Sequence, residues 1–123
     1  MTSQTPETIA RRYLATWNES DAGRRREMLA ALWSPDGSYV DPLASARGVA
    51  EIDGLIDAVR QRFPGLGFTL RGSVDGHGDA VRFAWQLGPD GGESLVEGTD
   101  FADLENGRLK RVTGFLDKVP ATG

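Results

Sequence analysis

The chain lacks cysteine altogether and has one histidine, His77, in 123 residues. The absence of cysteine excludes disulfides, thiolate-ligated zinc and a cysteine nucleophile. With a single histidine the usual zinc spacings are missing, and the acidic residues show no calcium-loop spacing. We therefore expect no metal or other cofactor, and we expect any chemistry to use oxygen and nitrogen side chains.

Long apolar runs are also missing. No stretch approaches the roughly 20 apolar residues that cross a bilayer, and residues 1–17 have no basic segment followed by an apolar run. We expect a cytoplasmic protein that does not bind membranes. The formal charge of −4 argues against nucleic acid, because a phosphate-binding surface needs a net basic face. The one basic cluster, GRRRE at residues 23–27, is predicted to be a solvated surface, with a phosphate or partner contact as the alternative.

The first half of the chain shows helical periodicity. A composition of 39% hydrophobic residues predicts one domain over residues 1–123. Thr5 and Pro6 predict the start of a first helix, and Asp21 or Ser20 the cap of a second. Gly48 leads into a third helix, whose apolar residues also recur every three or four positions.

The second half alternates apolar and polar residues and predicts four strands. Their sequences are FTLRGSVDG, AVRFAWQLG, ESLVEGTDFADLE and RLKRVTGFLD, separated by short turn signals. The segment SPDG, residues 34–37, is predicted to be a turn before a short strand ending in YVDP. Helices followed by mostly antiparallel strands indicate an α+β domain.

This order of elements resembles the nuclear transport factor two-like superfamily, and within it the SnoaL-like polyketide cyclase and ketosteroid isomerase branch. The resemblance covers about residues 8–117 and rests on YVDP, on the helix after RG, and on GTDFADLENGRL. It implies a cone-shaped, barrel-like fold in which three N-terminal helices pack on a curved, mainly antiparallel sheet and enclose one apolar pocket. It also implies a small apolar ligand and a homodimer formed through the outer face of the sheet. The superfamily holds isomerases, cyclases, epoxide hydrolases and non-catalytic binders, so the fold does not select an activity.

Asp41 is the first candidate for catalysis. It follows Tyr39 by two residues, so both side chains point to the same side of a strand, and Pro42 then ends the pairing. Asp41 matches the DP aspartate that serves as general base in ketosteroid isomerases. The alternative is an aspartate that accepts hydrogen bonds within a turn.

Asp100 is the second candidate. It lies on the strand face that carries mostly apolar or small residues, where burial would raise its pKa and allow a neutral acid to donate to an oxyanion. It lines up with the ketosteroid isomerase aspartate that has this role. The alternative is an ion pair with Arg82 or Arg111.

Tyr13 is the third candidate, because the segment RRYLATWN resembles the isomerases' first helix, where a tyrosine donates to the substrate oxygen. The alternative is a core tyrosine whose hydroxyl finds a partner at the edge of the core. The residues expected to line the pocket are Trp17, Tyr39, Phe63 and Trp85.

Two questions stay open in the sequence. Arg82 and Trp85 lie on opposite faces of one strand, and we expect the Trp85 face to be buried because its neighbours are apolar. With the Arg82 face inward, an arginine beside two carboxylates would resemble the water-activating site of limonene-type epoxide hydrolases.

His77 lies in the glycine-flanked turn DGHGD and is expected to be exposed and without a role in catalysis.

Two classes of function follow. In the first, a cofactor-free isomerase or cyclase uses Asp41 to abstract a proton alpha to a carbonyl, while Asp100 or Tyr13 stabilises the enolate. In the second, the protein is a non-catalytic ligand-binding or dimeric scaffold domain, and the same residues hold structure or a ligand.

Overall fold

The computed structural model describes residues 5–120. The first four residues of the polar N-terminal segment therefore lie outside the described part, as do the last three residues of the chain. Within it, three helices precede most of the sheet: α1 (Pro6–Asn18), α2 (Ala22–Leu32) and α3 (Gly48–Arg62). None of the three combines the length and the apolarity that a bilayer crossing requires.

The helix starts agree with the sequence signals. The Thr5 side chain accepts a hydrogen bond from the Thr8 amide at 3.1 Å, and Pro6 is the first residue of α1. Asp21 caps α2 in the same way by accepting from the Arg24 amide at 2.7 Å. Each cap satisfies an amide that has no partner inside its helix.

In the described part of the chain, six strands form one sheet. They are β1 (Trp33–Val40), β2 (Ser45–Arg47), β3 (Gly67–His77), β4 (Ala80–Gly88), β5 (Val96–Glu105) and β6 (Arg108–Lys118). Their order across the sheet is β2-β1-β6-β5-β4-β3, so the two edges do not pair and the sheet is not closed into a barrel. The pairs are antiparallel apart from β1 and β6, which run parallel. Register irregularities in β1, β3 and β5 bend the sheet around the helices.

The turn predicted at residues 34–37 is wrong. This segment belongs to β1, and its pairing with β6 changes register between Trp33 and Ser38. Gly37 lies within this irregular stretch, and a Cβ there would lie 2.5 Å from Trp33 Cε3 and 3.1 Å from the Leu109 carbonyl oxygen. A short strand, β2, follows and pairs with β1 through Ala46 opposite Tyr39.

The inner face of the sheet packs against the helices. In β4 this face carries Val81, Phe83, Trp85 and Leu87, each with 8% or less of its surface exposed. Arg82, in contrast, is exposed. The expectation that the Trp85 face is buried is therefore confirmed.

Candidate functional site

Asp41 lies immediately after β1, where the strand ends at Pro42. Its Oδ2 accepts the Tyr39 hydroxyl at 2.5 Å, so the two side chains are on one side, as the strand parity predicts. Its Oδ1 accepts from the amides of Leu43 at 2.7 Å and Ala44 at 2.8 Å. The turn hydrogen bonds of the alternative interpretation therefore exist. A carboxylate offers about four acceptor positions, so three hydrogen bonds leave room for one further proton.

Asp100 is buried, with 2% of its surface exposed, in the middle of β5. Its Oδ1 accepts a hydrogen bond from Nε1 of Trp85 on β4 at 3.1 Å. The residue directly opposite Asp100 on β4 is Phe83, and the one opposite on β6 is Gly114. The Asp100 carboxyl therefore has aromatic residues on the β4 side and a glycine, with no side chain, on the β6 side.

Gly98 allows the contact between Trp85 and Asp100. Trp85 pairs with Gly98 in the sheet, and its ring extends along β5 over that position toward the residue two places further on. A Cβ on Gly98 would lie 2.7 Å from Trp85 Cε2 and 2.8 Å from the Phe115 carbonyl oxygen. Only a residue without a side chain leaves space for the indole there.

The surroundings of Asp100 raise its pKa from 3.8 to about 6. Burial is the main cause, since it penalises the charged form, and the hydrogen bond from Trp85 opposes the effect in part. The ion pair considered for Asp100 is not formed. Arg82 instead pairs with Asp75 at 3.2 Å, and Arg111 is exposed on the other face of β6.

Tyr13 lies on the buried face of α1, and its ring packs edge-on against Phe83 with centroids 5.4 Å apart. Its hydroxyl is buried and makes no hydrogen bond of acceptable geometry. Burial raises the pKa of this hydroxyl, and the nearby Asp100 carboxyl raises it further. The hydroxyl lies close enough to the Asp100 carboxyl to lower its pKa, although the geometry between them falls short of a regular hydrogen bond.

The two aspartates meet at Gly114. A Cβ added there would lie 2.9 Å from Asp100 Oδ1, 3.4 Å from Asp41 Cβ and 3.6 Å from the Tyr39 hydroxyl. Glycine at this position therefore lets the Asp100 carboxyl lie against the β6 backbone, beside Asp41 and Tyr39. Burial, followed by the charge of Asp100 and the hydrogen bond to Asp41, raises the pKa of Tyr39, so its hydroxyl stays protonated and remains a donor.

Aromatic side chains pack against Tyr39 and Trp85, the aromatic neighbours of the two aspartates. Trp17 packs on Tyr39 with centroids 5.8 Å apart, and on Phe68 at 5.5 Å. Phe68 also contacts Trp85 at 5.4 Å and was not singled out in the sequence. Phe63 lies at the end of α3, half-buried, with the Arg62 guanidinium 5.8 Å from its ring centroid.

Three further expectations concern charged residues. The epoxide hydrolase alternative required Arg82 beside two carboxylates, but Arg82 is on the outer face. His77 is exposed, as predicted. The solvated interpretation of residues 23–27 is correct for Arg24 and Arg26 but wrong for Arg25, which is 2% exposed.

Arg25 is buried because its charge is matched. It binds Asp53 Oδ1 at 2.6 Å and the Glu19 carbonyl at 2.8 Å, with Asp57 at 3.5 Å. Aspartates one turn apart on α3 supply the partner charges, a spacing that is visible in the sequence. Among residues 5–120, no group of three or more acidic or histidine side chains is placed to hold a metal ion.

Comparison with known proteins identifies relatives of this arrangement. The model of the SnoaL-like domain family matches residues 10–112. No curated protein matches the chain. A proposed isomerase of the SnoaL-like family from Agrobacterium tumefaciens is 46% identical, with a TM-score of 0.86 over 90% of this chain and 96% of that one.

Two more distant structures share the fold. A proposed ketosteroid isomerase from Kribbella flavida is 26% identical, with a TM-score of 0.69 over 96% of this chain and 83% of that one. A SnoaL-like protein from Jannaschia, described as a proposed polyketide cyclase, is 16% identical with a TM-score of 0.69 over 95% of this chain and 92% of that one. At that identity the likeness concerns the fold alone.

Proposed function

Because the chain belongs to the SnoaL-like domain family, we propose that it is an isomerase or cyclase that acts on a small apolar carbonyl compound by aspartate acid/base chemistry. The observation that carries the proposal is the pair of buried groups at Asp100 and Tyr13. One is a carboxyl whose pKa is raised to about 6, and the other is a hydroxyl that makes no hydrogen bond of regular geometry. Two such donors side by side suit an oxygen that becomes negative during reaction.

Asp41 supplies the base in this mechanism. It removes a proton from the carbon next to the carbonyl, and the electron pair moves onto the carbonyl oxygen to form an enolate. The neutral carboxyl of Asp100 and the Tyr13 hydroxyl donate hydrogen bonds to that oxygen. In an isomerisation Asp41 then returns the proton to a different carbon, and the enolate collapses to the conjugated product.

Tyr39 and Gly114 support this assignment. The Tyr39 hydroxyl and the two turn amides hold the Asp41 carboxylate in one orientation. Gly114 lets both carboxyl groups approach the same position of β6, so the base and the acid would face one reacting group. The aromatic rings of Trp17, Phe68 and Trp85 would cover the apolar body of the substrate.

The test is turnover of a small β,γ-unsaturated cyclic ketone, followed by the ultraviolet absorbance of the conjugated product. Asp41→Asn should lower turnover by about a hundredfold or more while the circular dichroism stays unchanged. Turnover by the wild type should fall as the pH rises past about 6, because Asp100 then loses the proton that it donates. Asp103→Asn, which removes an exposed carboxylate from β5, serves as the control. Wild-type turnover in both Asp41→Asn and Asp100→Asn would contradict the proposal.

One observation favours a second candidate, a non-catalytic ligand-binding domain. The Asp41 carboxylate already accepts three hydrogen bonds, two of them within its own turn. In that case Asp41→Asn would lower the free energy of unfolding, and no variant of Asp100 would affect any reaction. The same pair of variants therefore distinguishes the two candidates.

We also propose that two copies of the chain associate through the outer face of the sheet. Val40, Phe101 and Phe115 point outward with 43%, 43% and 52% of their surfaces exposed, and the two phenylalanine rings pack edge to face. Arg82 and Asp103 lie on the same face, so a two-fold axis can bring opposite charges of two copies together.

A further inference from the structure

A groove of about 540 Å³ lies beside the aromatic residues of the candidate site. It is bordered by the end of α1, the last turn of α3, the start of β3 and the connection from β4 to β5. Its walls include Arg60, Leu66, Phe68, Gln86 and Asp90. We call it the Arg60 groove, and we propose that it binds the anionic end, a carboxylate or a phosphate, of an otherwise apolar substrate through Arg60.

Arg60 is held in place by a neutral carbonyl group, so its positive charge is not neutralised by an ion pair. One guanidinium nitrogen, Nη1, donates to the Trp17 carbonyl at 3.0 Å. Within residues 5–120, no carboxylate lies within ion-pair distance of it. The guanidinium has five N–H donors, so most of them stay available, in a fork that suits carboxylate or phosphate oxygens.

The position of Arg60 is half-buried, which distinguishes it from the other arginines near this end of α3. Arg62, two residues further on, is exposed and lies over the Phe63 ring. A charge in a partly desolvated groove interacts more strongly with an anion than one on an open surface. An arginine that only caps the end of α1 would make the same hydrogen bond to the Trp17 carbonyl, so a structural role and an anion-binding role must be distinguished.

Phe68 connects the groove to the candidate site. It forms part of the groove wall, and its ring contacts both Trp17 and Trp85. Trp85 in turn donates to Asp100. A molecule with its charged end at Arg60 would therefore place its apolar part against Phe68, the groove residue that packs on the aromatic rings of the candidate site. This inference rests on the proposed function only for the statement that the bound molecule is a substrate.

The experiment measures binding, so it does not depend on turnover. Octanoate, octyl phosphate and the neutral control octanol are titrated at neutral pH and followed by amide chemical shifts at Phe68 and Gly91. We expect at least one of the two anions to bind about tenfold more tightly than octanol, and the comparison of octanoate with octyl phosphate identifies which anion is preferred. Arg60→Gln should remove this preference and leave octanol binding unchanged.

Two further variants make the result specific. Arg62→Gln removes the same charge from the same helix and should change anion affinity by less than about twofold. Asp90→Asn removes a carboxylate from the groove wall and should strengthen anion binding, because a like charge no longer repels the ligand. This gain can be read even if Arg60→Gln does not fold.

Three outcomes would overturn the inference. Arg60→Gln could weaken octanol as much as octanoate, which would mean a structural cap only. Arg60→Gln and Arg62→Gln could have equal effects, which would mean a general effect of charge. Asp90→Asn could leave anion affinity unchanged.

Ketone turnover tests the proposed function and anion binding tests the Arg60 groove, so the two proposals can fail independently. If Asp100→Asn keeps wild-type ketone turnover but Arg60→Gln abolishes the anion preference, the groove is a binding site and the acid/base proposal is wrong. If Asp100→Asn abolishes turnover and Arg60→Gln has no effect on binding, the reverse holds. Measurement of anion binding to Asp100→Asn completes the set, and we expect it to equal that of the wild type.

Discussion

The indole N–H of Trp85 on β4 donates a hydrogen bond to Oδ1 of Asp100 on β5 at 3.1 Å. The Trp85 ring also packs against the Phe68 ring. The bond from the indole is the one hydrogen bond to the Asp100 carboxyl with good geometry in the part of the chain that the structure describes. It holds Oδ1 as an acceptor, so we assign the proton of the neutral acid to Oδ2. Asp100 is therefore oriented as a donor by a residue that has no charge of its own.

Replacement of that donor should change the acidity of Asp100. In Trp85→Phe the hydrogen bond that stabilises the carboxylate is lost, so the pKa of Asp100 should rise above its value of about 6. Carbon-detected nuclear magnetic resonance of the side-chain carboxyls measures it directly. Trp33→Phe is the matched control, because the Trp33 Nε1 is buried without a partner and its removal breaks no hydrogen bond. A midpoint for Asp100 below about 4.5 in the wild-type protein would contradict the neutral acid.

The burial of Asp100 should also appear in the pH dependence of stability. The pKa of this acid is raised in the folded protein, so its contribution to stability is complete below pH 3.8 and is lost as the pH rises through about 6. A difference of about two units between the pKa of Asp100 in the folded and in the unfolded chain corresponds to about 3 kcal/mol of stability. The amide of asparagine does not titrate, so Asp100→Asn should not lose stability in this way as the pH rises. The free energy of unfolding of the variant, relative to that of the wild type, should therefore increase by about 3 kcal/mol between about pH 4 and pH 6.5.

Urea denaturation at four or five pH values measures the difference. Asp103→Asn on the same strand controls for the removal of a negative charge, since Asp103 is exposed. Parallel curves for the wild type and Asp100→Asn would show that Asp100 is not titrated in this range.

Gly98 should tolerate no side chain. In Gly98→Ala the new methyl group meets the Trp85 ring and the Phe115 carbonyl, so we expect a loss of about 1–3 kcal/mol in the free energy of unfolding. Gly54→Ala is the contrast, because no atom lies within 4 Å of a Cβ there and the residue is inside α3. Alanine should stabilise that helix by about 0.5–1 kcal/mol. Equal effects of the two substitutions, measured by urea denaturation, would contradict the close approach at Gly98.

The buried arginine of α2 should matter more than its exposed neighbour. Arg25→Met leaves Asp53 mostly buried without its closest partner, and we expect a loss of about 3 kcal/mol in the free energy of unfolding. Arg26→Met, whose contact with Asp53 is 3.9 Å and largely exposed, should cost less than about 0.5 kcal/mol. Similar midpoints of thermal unfolding for the two variants would rule out a structural role specific to Arg25.

The proposed dimer predicts a change in association. Phe115→Glu places a charge in the outer apolar patch and should convert a dimer of wild type into a monomer in sedimentation equilibrium. Val119→Glu, which removes an equally exposed apolar side chain beyond the end of β6, should leave the dimer intact. A wild-type protein that is monomeric at millimolar concentration would refute the proposal.

Local signals in the sequence were sufficient for the helices and for the inner face of the sheet. Thr5 and Pro6 define one helix start, and the alternation around Trp85 identifies the buried side of β4. The turn predicted at residues 34–37 failed because Pro and Gly there serve an irregular strand that is stabilised by β6. Parallel pairing of β1 with β6 has no local signature, since the two strands come from opposite ends of the chain.

For the candidate site, the sequence predicted which face of a strand each residue occupies, but not which residues of neighbouring strands it contacts. Alternation placed Asp100 on an apolar face, but its donor depends on the register between β4 and β5, which no local pattern determines. The role of Gly98 follows from the size of the Trp85 ring on the neighbouring strand. Burial of Arg25 required knowledge that α2 packs on α3, because a run of arginines is usually solvated.

The parallel pairing of β1 with β6 also constrains when the site can form. Lys110 on β6 binds Asp36 on β1 across 74 residues of chain, and Gly114 follows four residues later on the same strand. During synthesis, a nascent chain that ends before β6 contains β1, which precedes Asp41, and β5, which carries Asp100, without the strand that lies between them. Contacts this distant in sequence form late and slow folding. The enclosure of the two carboxyl groups is therefore expected to be among the last events in the maturation of the protein, after the helices and the β3–β4 hairpin have formed.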